Sequence, residues 1–395
     1  MTSRCRPRVG FLFNHDQVHQ VAHALPVALA LAEGWTEADI VIATTNRALS
    51  EEVRRLGGEA IGTRIPLIEL GLKSAWSRLL ERLAGRLIPA AKLLVYRDNL
   101  DFFRSLDLLV VPEKTSLVLK QRYGLRNLKI VHTRHGAGDR AIGFNRASAG
   151  FDLVLASGPK TRDRLISEGG LPPERVAVVG YPKFDLYRWP ARPKQRPKRP
   201  VVLYNPHPAP HLSSWYKMGA DILDWFARHH EYELIFAPHI MLFQRKAVVT
   251  IDPPAIARTG AIAPHILAAE NIIVDTGSRA LTTMEYVSRA DIYLGDASSQ
   301  VYEFLVEPRP CIFVDAHRTE WQGEPDFRHW TAGRVIHSVG ELGDALAIAF
   351  DEHEHAYKAV QRQLFAETFD LTDRPSAERA AEAIAKFAGI PRKSG

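Results

Sequence analysis

Four histidines come directly after short apolar runs. His15 follows "RVGFLFN", His135 follows "LKIVHTR", His207 follows "PVVLYNP" and His239 follows "YELIFAP". In open parallel sheets the ligand lies beyond the carboxyl ends of the strands, so residues at these positions are placed for chemistry. An imidazole with a pKa near 6.5 suits removal of a proton from an attacking alcohol. We therefore predict that at least one of the four is catalytic, the alternative for each being a packing role at a strand end.

Other kinds of site find less support. No HExxH or HxH spacing accompanies the histidines, which disfavours a metal centre. Ser157 lacks a GxSxG context, and the two cysteines, Cys5 and Cys311, are too few for a disulfide framework or a zinc site. No GxGxxG turn or Walker lysine motif opens either half of the chain. General acid–base chemistry remains, and we predict no metal and no cofactor.

A second informative stretch is "ADIYLGDASSQVYEFLVEPRPCIFVDA", residues 290–316. We predict a strand that ends at Asp296, then a helix from Tyr302 to Val306. Ser298 and Ser299 would lie at the helix N-terminus, where backbone N–H groups, hydroxyls and the helix dipole favour an anion such as phosphate. The alternative is plain N-capping by Asp296 or Ser298.

The elements that would position these residues form two groups. The first comprises "RVGFLFN", "ADIVIATT", "LDLLVVPE", "LKIVHTR", "FDLVLAS" and "RVAVVG", and the second comprises "PVVLYNP", "YELIFAPH", "NIIVDTG", "ADIYLGD", "PCIFVDA" and "GRVIHSV". Amphipathic segments separate these runs, a pattern typical of parallel sheets covered by helices. We predict an α/β protein with an N-terminal domain, 1–190, and a C-terminal domain, 201–370. The basic, proline-rich "ARPKQRPKRP", 191–200, would link them, and a C-terminal helix in 371–395, "SAERAAEAIAKFAG" with a serine cap, is a candidate to pack back on the N-terminal domain.

Composition and charge indicate the cellular compartment and the class of partner to expect. The chain has 395 residues, 46% of them hydrophobic, and a formal net charge of +6. Its N-terminus does not resemble a signal peptide, no run is long enough to span a membrane, and the cysteine usage favours a cytoplasmic protein. Residues 73–105 contain a basic amphipathic helical pattern, which suits either the inner face of an anionic membrane or packing on the first sheet. We do not expect a nucleic-acid partner.

Three motifs together resemble those of the CDP-glycerol glycerophosphotransferases, the teichoic-acid primase and polymerase family. "RHGAGDR" is similar to that family's His-Gly-x-x-x-Lys segment, with Arg140 at the lysine position. "FAPHIML" is similar to its Phe-Lys-Pro-His-Pro segment. Asp296, Ser298, Ser299, Tyr302 and Glu303 match its Asp-x-Ser-Ser-x-x-aromatic-acid pattern. The resemblance covers residues 130–316 and implies a GT-B fold, in which two Rossmann-like domains face each other across a cleft.

The resemblance also implies a reaction. An acceptor hydroxyl on a lipid-linked or glycan molecule, deprotonated toward His135, would attack the glycerol-bearing phosphorus of a CDP-alcohol and release CMP. His239 would contact the donor phosphates or assist the departing CMP. The substrate-binding residues expected around them are Gly136, Arg140, His15, His207, Asp296, Ser298, Ser299 and Glu303.

The sequence departs from the family pattern at Ala237 and Ile240, which flank the second motif's Pro-His, and at Glu303, where the family has aspartate. A GT-B glycosyltransferase or an enzyme like the UDP-N-acetylglucosamine 2-epimerases is therefore an alternative. The epimerases carry Asp-Ser-Gly-Gly-x-x-Glu-Glu where this chain has its serines. A non-catalytic protein that binds a membrane surface is a second alternative.

Overall fold

The computed structural model describes residues 6–15, 17–74, 77, 88–134, 136–187, 196–251 and 254–393. It consists of two compact units. The first contains residues 1–137, 144–188 and 367–395, and the second contains residues 138–143 and 189–366. Both units are therefore discontinuous in sequence. Residues 191–195 of the predicted linker, and 75–76 and 78–87 of the basic amphipathic segment, lie outside the described residues.

The first unit is built on a parallel sheet of seven strands. These are β1 (Arg8–Phe13), β2 (Asp39–Thr44), β3 (Leu67–Glu69), β4 (Leu108–Val111), β5 (Lys129–Thr133), β6 (Leu153–Ala156) and β7 (Val176–Val178). Their order is β3-β2-β1-β4-β5-β6-β7. Successive side chains of a strand face opposite sides of the sheet, so Phe11 and Phe13 enter one hydrophobic core and Leu12 enters the other. The six predicted strands of this half are all present, and among the strands that the structure describes in this sheet the three-residue β3 was not predicted.

Helices cover both faces of this sheet. The described helices are Val21–Gly34, Arg47–Gly57, Ala60–Thr63, Ile88–Asp98, Leu100–Arg104, Val118–Gln121, Pro159–Ser167 and Ser376–Ala388. Short 3₁₀ turns lie at Val18–Gln20, Lys114–Leu117, Arg146–Gly150, Pro173–Arg175 and Pro182–Leu186.

The C-terminal helix, Ser376–Ala388, completes the core of the first unit. Ala380, Ala381 and Ile384 are fully buried in the same cluster as the helix Val21–Gly34. The predicted serine cap is wrong, because Ser376 is already helical and the preceding residue makes no side-chain cap. The carboxylate of Asp185 accepts hydrogen bonds from the backbone N–H groups of Ser376 (3.2 Å) and Ala377 (2.6 Å) instead. A side chain distant in sequence thus satisfies two of the N–H groups that a helix leaves open at its start.

The second unit contains a parallel sheet of six strands and a separate hairpin. The sheet strands are β8 (Val201–Asn205), β9 (Glu233–Phe236), β12 (Ile272–Val274), β13 (Ile292–Gly295), β14 (Cys311–Val314) and β15 (Arg334–Ile336); the antiparallel hairpin pairs β10 (Ala247–Ile251) with β11 (Pro254–Arg258). The sheet order is β12-β9-β8-β13-β14-β15. All six predicted strands of this half are confirmed, and the hairpin was not predicted. Chain order runs outward in opposite directions from the β8–β13 pair, which makes that pair the topological switch point.

The helices of the second unit pack on this sheet around a core that includes the fully buried Ile222, Phe226 and Leu342. Its α-helices are Ala220–Arg228, Pro264–Leu267, Glu285–Arg289, Gln300–Phe304, Leu342–Glu352 and, continuing into the first unit, Lys358–Thr368; π-helical turns lie at Trp215–Gly219 and His353–Tyr357, and 3₁₀ turns at Ala141–Phe144, Arg279–Leu281, Pro325–Ala332 and Val339–Glu341. The helix predicted from Tyr302 to Val306 is Gln300–Phe304. It begins directly after the serines and ends before Pro308, since the residue before a proline is disfavoured in helical conformation. Within the described part of the chain no helix is long and apolar enough to cross a membrane.

The Asp185 cap gives a first test. Asp185→Ala removes the acceptor for two backbone N–H groups, and loss of a cap costs about 0.5–2 kcal/mol of helix stability. Hydrogen–deuterium exchange should therefore accelerate in a peptide that covers residues 376–388. Asp373→Ala, at an exposed position just before the helix, is the matched control and should leave that peptide unchanged. Equal exchange in Asp185→Ala and wild type would contradict the assignment of the cap.

Candidate functional site

The candidate site of the second unit lies at the carboxyl ends of β8, β9 and β13. Asp296 directly follows β13, and its carboxylate joins the segments that surround the switch point. It accepts hydrogen bonds from the backbone N–H of His207 (2.8 Å) and from both the N–H (2.7 Å) and the hydroxyl (2.9 Å) of Ser214. The buried hydroxyl of Tyr204 lies 2.9 Å from the same serine oxygen. Asp296, the aspartate of the predicted phosphate site, therefore fixes the loop after β8 through buried hydrogen bonds.

Asp296 is fully buried, and this determines its protonation. Burial raises its pKa from the ordinary 3.8 to about 7, although the hydrogen bonds from Ser214 and His207 act in the opposite direction. A carboxyl group in this position changes charge close to neutral pH. Its oxygens accept hydrogen bonds from the loop after β8, so Asp296 holds that loop, and its contact with substrate stays a prediction.

His207 and His239 form a pair at the ends of neighbouring strands. Their ring centroids are 6.0 Å apart, and both side chains are partly buried. The Nδ1 atom of His207 accepts the backbone N–H of Ala209 (3.0 Å), and that of His239 accepts the N–H of Met241 (3.3 Å). A nitrogen that accepts a hydrogen bond carries no proton, so each neutral ring carries its proton on Nε2.

The electrostatic surroundings keep both rings neutral. Burial lowers the pKa of His239 from 6.5 to about 4. The pKa of His207 lies well below its ordinary value, first because of burial and then because the neighbouring His239 and Arg140 disfavour a positive charge on its ring. Two neutral imidazoles that carry their proton on Nε2 can both donate hydrogen bonds to phosphate oxygens at neutral pH.

The two serines after Asp296 differ in exposure. Ser298 is buried, and its hydroxyl accepts the backbone N–H of Gln300 (3.3 Å), whereas Ser299 is exposed. Glu303 is buried on the helix Gln300–Phe304. Ser299 thus presents its side chain to solvent, while Ser298 and Glu303 belong to the interior that supports it.

Arg140 reaches this site on the segment 138–143, which belongs to the second unit. The neighbouring Asp139 is buried, and its Oδ2 atom accepts a hydrogen bond from the hydroxyl of Tyr302 (2.5 Å). The same oxygen lies 3.1 Å from Nδ1 and 3.3 Å from the backbone N of His329. The Nε2 atom of His329 lies 3.3 Å from the backbone oxygen of Asp296. This network joins the Arg140 segment to the Asp296 loop.

Sequence reasoning missed Ser214, Asp139 and His329. Asp139 stands inside the quoted "RHGAGDR", so an acid beside the motif's cation was the available signal. Ser214 and His329 carry no local signal, because only the folded sheet brings them to Asp296.

The remaining predicted residues belong to the first unit. His15 is buried just after β1, with its ring centroid 6.1 Å from that of Phe13. Gly136 has a φ of 76°, a left-handed conformation that a side chain would strain. His135, the predicted base, lies outside the described residues.

Among the described residues no group of three or more His, Cys, Asp or Glu side chains is placed to hold a metal ion. The site offers instead two neutral imidazoles, a guanidinium and an exposed serine around the switch point. This combination of donors is suited to phosphate oxygens.

No protein-family model matches the chain, and no curated protein matches its sequence. Solved structures share its fold. They include the wall teichoic acid polymerase TagF, with 12% identity, a TM-score of 0.58, and 98% of this chain and 90% of that chain covered. Others are the UDP-GlcNAc 2-epimerase of Neisseria meningitidis bound to UDP-GlcNAc (13%, 0.56, 96% and 99%) and MnaA of S. aureus with UDP (13%, 0.54, 98% and 100%). The predicted α/β class with two parallel-sheet domains of GT-B type is confirmed.

Titration of Asp296 gives the second test. Its pKa is raised in the folded state, so its protonated form stabilises the fold at low pH, and this contribution is lost as pH rises from about 4 to about 7. The free energy of unfolding of wild type minus that of Asp296→Asn, measured by urea denaturation, should therefore decrease between pH 5 and pH 7, with a limiting slope of about 1.4 kcal/mol per pH unit. The surface variant Asp344→Asn controls for general effects. A difference that grows with pH would contradict the assignment.

Proposed function

We propose that the chain is a group-transfer enzyme whose second unit binds the phosphates of a nucleotide-linked donor at the β8–β13 switch point. The observation that carries the proposal is the pair His207 and His239, both held as neutral Nε2–H donors, with the charge of Arg140 beside them. In doubly wound sheets this location takes nucleotide ligands. Structures similar in fold were solved with UDP-GlcNAc and with UDP.

The preferred donor is a CDP-alcohol, and the reaction is transfer of glycerol phosphate or a related polyol phosphate. The three ordered motifs support this choice, as does the fold shared with TagF, one variant of which was solved after a soak with CDPG. The acceptor is a hydroxyl group of a lipid-linked or glycan molecule. A nucleotide-sugar enzyme is the second candidate, since the UDP-GlcNAc 2-epimerases share the fold to a similar degree.

In the proposed reaction the acceptor oxygen attacks the glycerol-bearing phosphorus, and the bond from that phosphorus to the CMP oxygen breaks. The acceptor proton passes to His135. Negative charge accumulates on the phosphate oxygens and on departing CMP, where the Nε2–H of His239, the Nε2–H of His207 and the Arg140 guanidinium stabilise it. Donors fixed before the reaction need no reorganisation during it, which is the main source of such stabilisation.

The donor class is tested by ligand-induced stabilisation. A ligand that binds only the folded protein raises its unfolding temperature according to its affinity. CMP and CDP should raise that temperature more than UMP and UDP at equal concentration, and purified enzyme should release CMP from CDP-glycerol. A larger effect of UDP, with release of UDP from a UDP-sugar, would favour the second candidate.

The two predicted catalytic histidines should separate by kinetic signature. His135→Ala should lower turnover by about 10²- to 10⁴-fold, the range for loss of a general base, with little change in nucleotide affinity. His239→Ala should reduce both turnover and the affinity for CDP, because its Nε2–H is assigned to phosphate. His230→Ala, at an exposed helix end, is the control. Full activity of His135→Ala would exclude it as the base, and unchanged CDP affinity of His239→Ala would exclude its phosphate contact.

A further inference from the structure

The short segment that carries Arg140 is fixed on both sides of that residue. Before it, Asp139 is 3% exposed and accepts the hydroxyl of Tyr302. After it, the backbone N–H of Ala141 donates to the carboxylate of Asp326 at 3.0 Å. Two anchored neighbours leave the residue between them little freedom of backbone movement.

Close packing strengthens this restraint. A Cβ atom added to Gly138 would lie 3.0 Å from the Cβ of Ser299, tighter than ordinary van der Waals contact. The absence of a side chain at Gly138 therefore lets the segment approach the serine loop. The buried ring of His329 contacts Asp139 through Nδ1 and the backbone oxygen of Asp296 through Nε2. It therefore connects Asp139 with the loop that carries Ser298 and Ser299.

Arg140 itself is partly buried, and its charge acts on His207. Burial lowers the pKa of His207 most, and the electrostatic effects of His239, Arg140, His211 and His329 on a protonated ring lower it further. A guanidinium beside neutral imidazoles gives this part of the unit a positive potential, which favours a bound phosphate.

We infer that Asp139 is a positioning residue that holds the Arg140 guanidinium against the donor's phosphates, an inference that rests on the proposed function. Asp139 is buried among protein donors and does not touch substrate. Its carboxylate, with Tyr302 and His329, fixes the backbone from which Arg140 extends. Its substitution should therefore act through Arg140.

A double-mutant cycle tests this dependence, with CDP as the probe and calorimetry as the measurement. Arg140→Ala should weaken CDP binding by about 10- to 100-fold, as expected for loss of a charged hydrogen-bond donor. Arg140→Lys should retain most of the affinity because it keeps the charge. Asp139→Asn should weaken binding nearly as much as Arg140→Ala, yet cause less than about a twofold further loss in the Arg140→Ala background. Independent, multiplying effects of the two substitutions would overturn the inference.

A second readout needs no nucleotide and separates this inference from the proposed function. In ligand-free protein labelled at the histidine Cε1 carbon, NMR should show that Arg140→Ala raises the pKa of His207, because a nearby positive charge is removed. Asp139→Asn should raise it in the same direction. Wild type that binds neither CDP nor UDP would contradict the proposed function, while this titration still decides the role of Asp139. If the pKa of His207 were raised in Arg140→Ala but equal to that of wild type in Asp139→Asn, the inference would be overturned.

Asp139→Asn alters a buried cluster, so a surface variant guards against misfolding. Asp326→Ala removes the anchor of the Ala141 N–H from a more accessible position, and it should weaken CDP binding and raise the His207 pKa to a smaller extent. Glu324→Ala, an exposed residue of the same loop, is its matched control and should match wild type in both measurements. Asp326→Ala indistinguishable from Glu324→Ala would count against the positioning of Arg140.

Discussion

The second unit depends on one buried carboxylate. Asp296 binds backbone N–H groups from two positions in the loop that follows β8, and it does so from the end of β13 across the switch point. Parallel strands carry no turn that fixes their adjoining loops, so a bridging side chain supplies that restraint. The orientation of His207 follows directly, because its own N–H is one of the groups bound. Removing this carboxyl group from water disfavours its charged form, and the raised pKa of Asp296 reflects that desolvation.

The histidine pair illustrates how backbone geometry determines side-chain chemistry. A free imidazole exchanges its proton between two nitrogens, whereas here a backbone N–H two residues later occupies Nδ1 in both rings. Each ring then presents one defined donor. Burial adds the second condition, since it disfavours the charged form that would donate from both nitrogens. The result is a polar surface with fixed orientation and low charge, to which Arg140 contributes the positive charge.

The sheets could be predicted from sequence because their strands are short, apolar runs buried on both faces. The exceptions are instructive. β3 has only three residues, two of them partly buried, and leaves a weak pattern. The hairpin strand β11 alternates between exposed and partly buried residues, outside the main sheet. At the site, His207 and His239 were found because strand ends of one sheet meet at one edge. Asp185 as a helix cap and Ser214 as a partner of Asp296 could not be found, because each contact joins residues far apart in the chain.

The interleaving of the two units along the chain has a consequence for biosynthesis. A ribosome makes residues 138–143 before any strand of the second unit, and it makes residues 367–395 only after that unit's residues 189–366. The nascent first unit therefore lacks the helix that fills its core, with Ala380 and Ile384, until the second unit has been translated. Apolar surface on the helix Val21–Gly34 stays uncovered during that interval, so the first unit reaches its final packing only after every residue of the second unit has been translated. The early residues of the first unit must therefore wait for a late segment of the chain, whereas every residue of the second unit is already translated by then.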